Sequence, residues 1–419
     1  MRLLLRHTSS TLLLALALSG AALTTPAALA QRSIHDYVEP GSPKAKKLAA
    51  QKAKAKKAAA AAAAAKKAKT DYLGEFVNFG QWKEVSQFLD EMVAKHGFTR
   101  AELDALMGQV HYVDSAVQLM KPAPPGKPKN WQAYSARFIE PVRINGGVRF
   151  WNDNRDTLAR AEALYGVPAD IIVGIIGVET VYGSNTGRFR VLDALTTLAF
   201  AYPVAPSRDA RMAFFRGELE STLLYARQTG IDPLTLLGSY AGAIGLPQFM
   251  PSSIIKHAVD FDGDGKIDLR NSPADAIGSV ASFLVQHGWQ REAPATIVYR
   301  ADVSPSRAWE PYINQGLEAK FAEKDLIAAG VVTTSPLPPS TLYGLVDLQN
   351  GSEATEYWLA TNNFFAITQY NRSYFYAMSV IDLGAAIKQA RPDAARPDAA
   401  RPDAARPEVA AGGENAVKP

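Results

Sequence analysis

The stretch that decides the fold is VPADIIVGIIGVETVYG, Val167 to Gly183. Its centre, Ile171 to Val178, is apolar on every face, and a helix of that kind is buried all round. One ionisable side chain, Glu179, follows at once. A carboxyl group there must be paired or stay neutral, because an unpaired charge in an apolar setting is costly. Kept neutral by desolvation, it has a raised pKa and can donate a proton near neutral pH. That is the profile of a general acid. The same pattern also suits a carboxylate salt-bridged at the end of a core helix.

Outward from this stretch, the chain of 419 residues is 47% hydrophobic, enough for a large core and for two or three domains. The opening 30 residues carry Arg2 and Arg6, an apolar run from Leu12 to Leu23 and a closing Ala28-Leu29-Ala30. They read as a secretory signal peptide with Gln31 as the first mature residue. No later stretch reaches the length of a membrane span, so no transmembrane segment is expected in the mature chain. With no cysteine, the chain has no disulfide framework, thiolate nucleophile or thiolate metal site, and no acylated cysteine to anchor a lipoprotein. The expected location is the periplasm, with the chain free there or held by charge.

The net charge of +4 hides an asymmetry. Lys44 to Lys69 contains ten lysines and no acid, and removing these and the two leader arginines leaves −8 for the rest. Residues 31–70 therefore form an Ala/Lys-rich linker without large apolar residues to bury. It is a spacer, or an arm attracted to an anionic wall or membrane surface. A nucleic-acid partner is not expected, and a monomer is. From residue 391 the sequence repeats RPDAA, where a proline every five residues excludes a stable helix and the period is too short for a solenoid. Residues 391–419 read as a disordered tail, which leaves 71–390 as the folded domain.

Within that domain, Trp82 to Val93 shows helical spacing, and Thr99 with Glu102 forms a capping box for a second helix. Pro122 to Pro128 is a loop. Helices are expected over 152–165, 191–200, 211–229, 274–287 and 373–390. A turn starts at Asp232-Pro233. ATIVYRADV and STLYGLVDLQ read as strands. The aromatics Trp131, Tyr134, Phe138, Phe150 and Trp151 suit a core or the flat wall of a saccharide groove.

Asp260-Phe261-Asp262-Gly263-Asp264-Gly265-Lys266-Ile267-Asp268 matches the front of an EF-hand loop. Asp260, Asp262 and Asp264 offer hard oxygens, Gly265 permits the sharp turn, Lys266 supplies a backbone carbonyl and Asp268 binds through water. Position 12 is Asn271 in place of a bidentate Glu. The expectation is a structural Ca²⁺ of reduced affinity, with a solvated acidic turn as the other reading.

Taken in order, GIIGVETVYG, LDALTTLAFAYP, FFRGELES, SYAGAIGLPQFMPSS, VDFDGDGKIDL, DAIGSVASFLVQHGW and NFFAITQYNRSYFYAMSV closely resemble the membrane-bound lytic transglycosylase B family, from about Trp131 to Ile387. The resemblance implies a mainly α (α+β) fold, with a lysozyme-like core, a helical N-terminal part and a small β-containing subdomain. It implies cleavage of the β-1,4 bond between N-acetylmuramic acid and N-acetylglucosamine of peptidoglycan glycan strands, leaving a 1,6-anhydro end. No cofactor is implied for catalysis.

Glu179 matches the family's catalytic acid, which then acts as base. Asp193 is the next acid along the chain, so the usual carboxylate pair is not evident. Ser239 is implied to hydrogen-bond near the acetamido group or to support Glu179, and Gln248 to contact sugar. Tyr134, Tyr370, Asn371 and Tyr376 match groove residues, with Asn371 close to the acid. Arg211 matches one of two adjacent arginines that face the peptide or carboxylate of the substrate. Its neighbour here is Ala210, with Arg208 as a substitute, and Leu246-Pro247 also departs from the family pattern. Asp260, Asp262, Asp264, Asp268 and Asn271 match the family's metal loop. The competing functions are a lysozyme-type hydrolase and an inactive wall-binding scaffold.

Overall fold

The structure is a computed structural model that describes residues 77–122, 126 and 128–391. The leader, the Ala/Lys arm and the tail beyond Arg391 lie outside the described residues, as does part of the Pro122–Pro128 loop.

The N-terminal helices follow from their apolar spacing. Helix α1 (Lys83–His96) buries Val85, Phe88, Leu89 and Met92, three or four residues apart, and ends at Gly97 with φ 68°. The Thr99 hydroxyl opens α2 (Arg100–Met107) by accepting the Glu102 N–H at 3.2 Å and donating to the Glu102 carboxylate at 2.9 Å. Then come α3 (Asp114–Leu119), α4 (Trp131–Ser135), α5 (Pro141–Asp153) and α6 (Arg155–Tyr165).

The single helix expected over 152–165 is instead two. Asn154 leaves helical geometry at φ −117° and turns its side-chain amide onto the Phe150 carbonyl at 2.8 Å. The rest of α5 escaped the sequence reading because Gly146-Gly147 lowers helix propensity. Pro141 at the first turn and the Glu140 carboxylate, which accepts the N–H groups of Val142 at 2.8 Å and Arg143 at 2.9 Å, start it nonetheless.

Helix α7 (Ala169–Thr180) buries every residue except Asp170. Strand β1 (Phe189–Arg190) pairs antiparallel with β2 (Leu237–Gly238). Around them run α8 (Val191–Phe200), α9 (Arg208–Thr229), α10 (Pro251–His257) and α11 (Pro273–Gln286). A five-stranded antiparallel sheet follows in the order β4-β6-β7-β3-β5. Its strands are β3 (Val298–Val303), β4 (Phe321–Ala322), β5 (Val331–Thr333), β6 (Leu342–Asn350) and β7 (Glu353–Ala360). Helix α12 (Glu323–Ala328) connects β4 to β5, and α13 (Asn362–Thr368) and α14 (Tyr374–Ala390) close the domain.

Both faces of the sheet are covered. On β6, Tyr343 and Leu345 pack into a small cluster with Trp309, while Val346 and Leu348 join the main core. The mainly helical architecture with a small β subdomain is thus the one expected. Among the described residues no single helix is long and apolar enough to cross a membrane. Helices α6 and α7 pass that test only as a pair bent by 115°, and α7 is buried inside the protein.

The organising contact is the crossing of α7 and α14. Added Cβ atoms would collide with the Val380 carbonyl at Gly174 and with the Asp170 carbonyl at Gly384, so two glycines let these backbones touch. Backbone cannot yield as a flexible side chain does. Gly384→Ala is therefore expected to destabilise the fold by about 1–3 kcal/mol, read as a lower melting temperature by calorimetry. An unchanged melt would mean that the helices separate freely.

Candidate active site

Glu179 lies one residue before the end of α7 and is 8% exposed. Its Oε1 accepts the hydroxyl of Tyr376 at 2.7 Å, and Tyr376 is 1% exposed. No cation pairs with Glu179 among the described residues. Burial pushes its carboxyl up from 4.5 to about 7, and the Tyr376 hydrogen bond pulls the other way. The salt-bridged alternative is thereby excluded.

Helix α14 brings Tyr376 to the acid through its own start, where the Ser373 side chain caps the helix by accepting the Tyr376 N–H at 3.4 Å. The Tyr370 ring stacks on Tyr376 at 6.3 Å, and the Tyr370 hydroxyl donates to the Pro247 carbonyl at 2.6 Å. Burial, then the nearby charge of Glu179, hold the Tyr370 phenol well above its usual range. Asn371 follows in the same turn and is buried.

Tyr134 on α4 packs edge-on against Phe375, the neighbour of Tyr376 in the chain, at 5.4 Å. Its phenol is raised by burial, opposed by Arg137 and raised by Glu179. Three tyrosines singled out in the sequence thus converge on one carboxyl.

The loop after β2 is bound to the same cluster. Thr180, next to the acid, donates its hydroxyl to the Leu246 carbonyl at 2.9 Å and accepts the Gly183 N–H at 3.0 Å. At the Leu246-Pro247 departure both backbone carbonyls are engaged, Leu246 by Thr180 next to the acid and Pro247 by Tyr370. Ser239 is half-buried and its hydroxyl oxygen accepts the Ala243 N–H at 3.0 Å, which closes the turn it heads. The Gln248 side-chain amide donates to the carbonyls of Gly245 at 2.9 Å and Thr186 at 3.2 Å. Arg211 stands half-buried in the first turn of α9, a helix that begins at Arg208 rather than Arg211. Arg208 donates to the Tyr202 carbonyl at 2.9 Å.

The chain turns sharply after the acid. Val181 and Tyr182 have φ of 52° and 57°, an unusual pair of left-handed residues without a glycine, and Gln248 has φ 52°. Such geometry costs about 1–3 kcal/mol per residue and survives only where the surroundings impose it. Here the Tyr182 ring fills the space left by Gly147 and Gly177 and packs on Phe150 at 5.4 Å. Arg143 adds a brace, donating through Nε to the Gly177 carbonyl at 3.2 Å and through a terminal nitrogen to the Arg137 carbonyl at 2.7 Å. Thr180, Tyr182 and Arg143 were not read from the sequence. The adjacency of Thr180 and Tyr182 to Glu179 was the available signal, and Arg143 left none.

Asp193 does not supply a second carboxylate. Both its oxygens are held by Arg190, at 2.8 and 2.6 Å, and one also accepts the His111 N–H at 3.1 Å. Among the described residues no other acid contributes to the raised pKa of Glu179. A cavity of about 770 Å³ lies not at Glu179 but beside the acidic loop, against Ile244, Ile254 and Leu269.

In that loop, carboxylate oxygens of Asp260, Asp262 and Asp264 lie within 4.8 Å of one another. Gly263 and Gly265, with φ of 80° and 87°, let the backbone wrap around them. Three converging hard oxygens fit a divalent cation. Asp268 and Asn271 are arranged differently: the Asn271 amide donates to Asp268 at 2.9 Å, and Asp268 also accepts the Asn271 N–H at 3.0 Å. These two side chains serve each other, outside the group formed by the three aspartates.

Residues 80–385 match the family described as Transglycosylase SLT domain. The chain belongs to that family. It is 42% identical over 326 residues to the membrane-bound lytic murein transglycosylase B of Escherichia coli, covering 76% of this chain and 85% of the relative. The solved structure of the catenated lytic transglycosylase SltB1 from Pseudomonas aeruginosa matches at TM-score 0.68 and 44% identity, over 75% of this chain and 99% of that one. That of the Escherichia coli lytic transglycosylase Slt35 in complex with calcium matches at TM-score 0.66 and 43% identity, over 75% and 95%. The enzyme class is lytic murein transglycosylase, and the hydrolase and scaffold alternatives lose their support.

The raised pKa couples the acid to stability. A carboxyl whose folded pKa of about 7 exceeds its ordinary 4.5 favours folding fully below 4.5 and loses that contribution as pH rises through 7. Glu179→Gln mimics the neutral form. Its melting temperature should equal that of the wild type near pH 4 and exceed it increasingly up to pH 8, by a stability difference approaching about 3 kcal/mol. Parallel melting curves across that range would contradict a desolvated acid.

Proposed function

We propose that Glu179 carries out both proton transfers of the lytic reaction alone. In its neutral form it protonates the glycosidic oxygen, the bond from that oxygen to the muramoyl C1 breaks, and the N-acetylglucosamine side leaves as an alcohol. The 2-acetamido oxygen closes on C1 in place of a protein nucleophile. Glu179, now a carboxylate, takes the proton of the C6 hydroxyl, whose oxygen bonds to C1 and displaces the acetamido oxygen. The product is a 1,6-anhydro end, water is not consumed, and the acid ends protonated as it began. The observation that carries this reading is a buried carboxyl held by a tyrosine hydroxyl, with no cation and no second acid paired to it among the described residues, and burial pushes its pKa up to about 7. Near neutral pH both its protonation states are populated, as a group that gives and then takes a proton requires.

Around it, Tyr134, Tyr370, Asn371 and Tyr376 form the groove wall. The Gln248 side-chain oxygen and the Ser239 hydroxyl face substrate polar groups, and Arg211 faces the peptide. Asp260, Asp262 and Asp264 hold a structural Ca²⁺ whose role is to set the loop between α10 and α11, with the Lys266 carbonyl completing the set and Asp268 and Asn271 shaping the turn beside it. No step of the reaction passes through the ion. Residues 1–30 direct export to the periplasm, 31–70 form a charged tether, 71–390 form the catalytic domain, which acts as a monomer on glycan strands, and 391–419 form a tail.

Mass spectrometry of sacculi digested by the purified protein should show 1,6-anhydromuropeptides, lighter by one water than hydrolysis products. Glu179→Gln should lower the rate by a factor of about a thousand or more. Reducing ends alone would replace this mechanism with hydrolysis. Chelation should lower the melting temperature and added Ca²⁺ should restore it, since a ligand that binds only the folded state stabilises it. A melt indifferent to EDTA would remove the ion.

A further inference from the structure

Arg137 stands on Tyr134, whose phenol feels the charges of both Arg137 and Glu179, and it is not used by the mechanism. Its guanidinium carbon sits 4.4 Å above the Tyr134 ring. Its backbone is tied to the catalytic helix by Arg143, which bridges the Arg137 carbonyl to that of Gly177, two residues before Glu179. The side chain is exposed. Of the five N–H donors of a guanidinium, Nε points to the Tyr134 carbonyl at 3.4 Å, a weak contact. Among the described residues no carboxylate pairs with it. The nearby Glu140 is committed to Arg143 at 3.5 Å and to two backbone N–H groups. The result is an unneutralised cation with free terminal donors, standing on the Tyr134 ring and aimed by packing rather than by an ion pair. A planar fork of this kind recognises carboxylates.

We infer that Arg137 is a specificity-determining residue that binds a carboxylate of the substrate. The inference rests on the functional reading above. Two sources share the chemistry: the lactyl carboxylate of a peptide-free muramoyl residue, and the carboxylates of the stem peptide.

The test measures binding by calorimetry in the Glu179→Gln background, so that nothing turns over. The ligands are peptide-bearing glycan fragments, the same fragments stripped of peptide, and neutral chitotetraose. Adding Arg137→Gln should raise Kd for at least one anionic ligand by about tenfold or more, and for chitotetraose by less than about twofold. Arg137→Lys should recover part of the loss. Loss confined to the peptide-bearing fragments assigns the stem peptide, and loss on the stripped strands assigns the lactyl group. Equal loss on all three ligands would reduce Arg137 to a packing role on Tyr134 and overturn the inference, as would no loss on either anionic ligand. If the Glu179→Gln parent bound none of the three, the functional reading itself would fall, and this inference with it.

Discussion

One hydrogen bond from an uncharged donor into a buried carboxyl governs this molecule. Had a lysine or arginine met Glu179, the ionised form would be favoured and its pKa held low. Tyr376 stabilises the carboxylate only modestly, so burial prevails and the group sits near 7. Burial in turn depends on α7 being enclosed on all sides, and that depends on the close crossing with α14 at Gly174 and Gly384. Backbone contact, shielding and acidity form one causal chain.

The arrangement runs against stability in two places. A desolvated acid ionises at a cost as pH rises, and the turn after it holds Val181 and Tyr182 in left-handed geometry. Neither feature assists folding. Both are held by neighbours: the Tyr182 ring against Gly147 and Gly177, the Arg143 brace on the helix end, and the Thr180 bonds to the loop after β2. Strain concentrated beside one acid is the pattern expected where function and stability conflict.

The two sites are built by different physics. At Glu179 the carboxyl is buried, and with no cation beside it burial decides its charge against the modest opposing pull of a neutral donor. At Asp260, Asp262 and Asp264 the carboxylates are exposed and brought together by backbone turns, so an ion would have to compete with water for them. Asn271 illustrates how a matching motif position can be used otherwise, since its amide faces Asp268.

Local pattern determined a good deal of the protein. The apolar centre of α7 specified an all-round buried helix, and the acid that follows it was legible because a lone carboxyl after an apolar run is chemically conspicuous. Thr99 with Glu102, the ends of α8, the acidic loop and two strands were equally readable, each depending on neighbours a few residues apart. What required the tertiary structure were contacts between residues distant in the chain. Tyr376 lies 197 positions from Glu179, so no spacing could announce their bond. Helix α5 was hidden by a Gly-Gly pair whose reason is the Tyr182 ring packed against it, and the break at Asn154 came from a side-chain amide competing with the backbone. The sequence alone determined that an acid would be buried. The fold decided that its partner is a phenol and not a cation, because that choice is made by which helix crosses which, and at what distance.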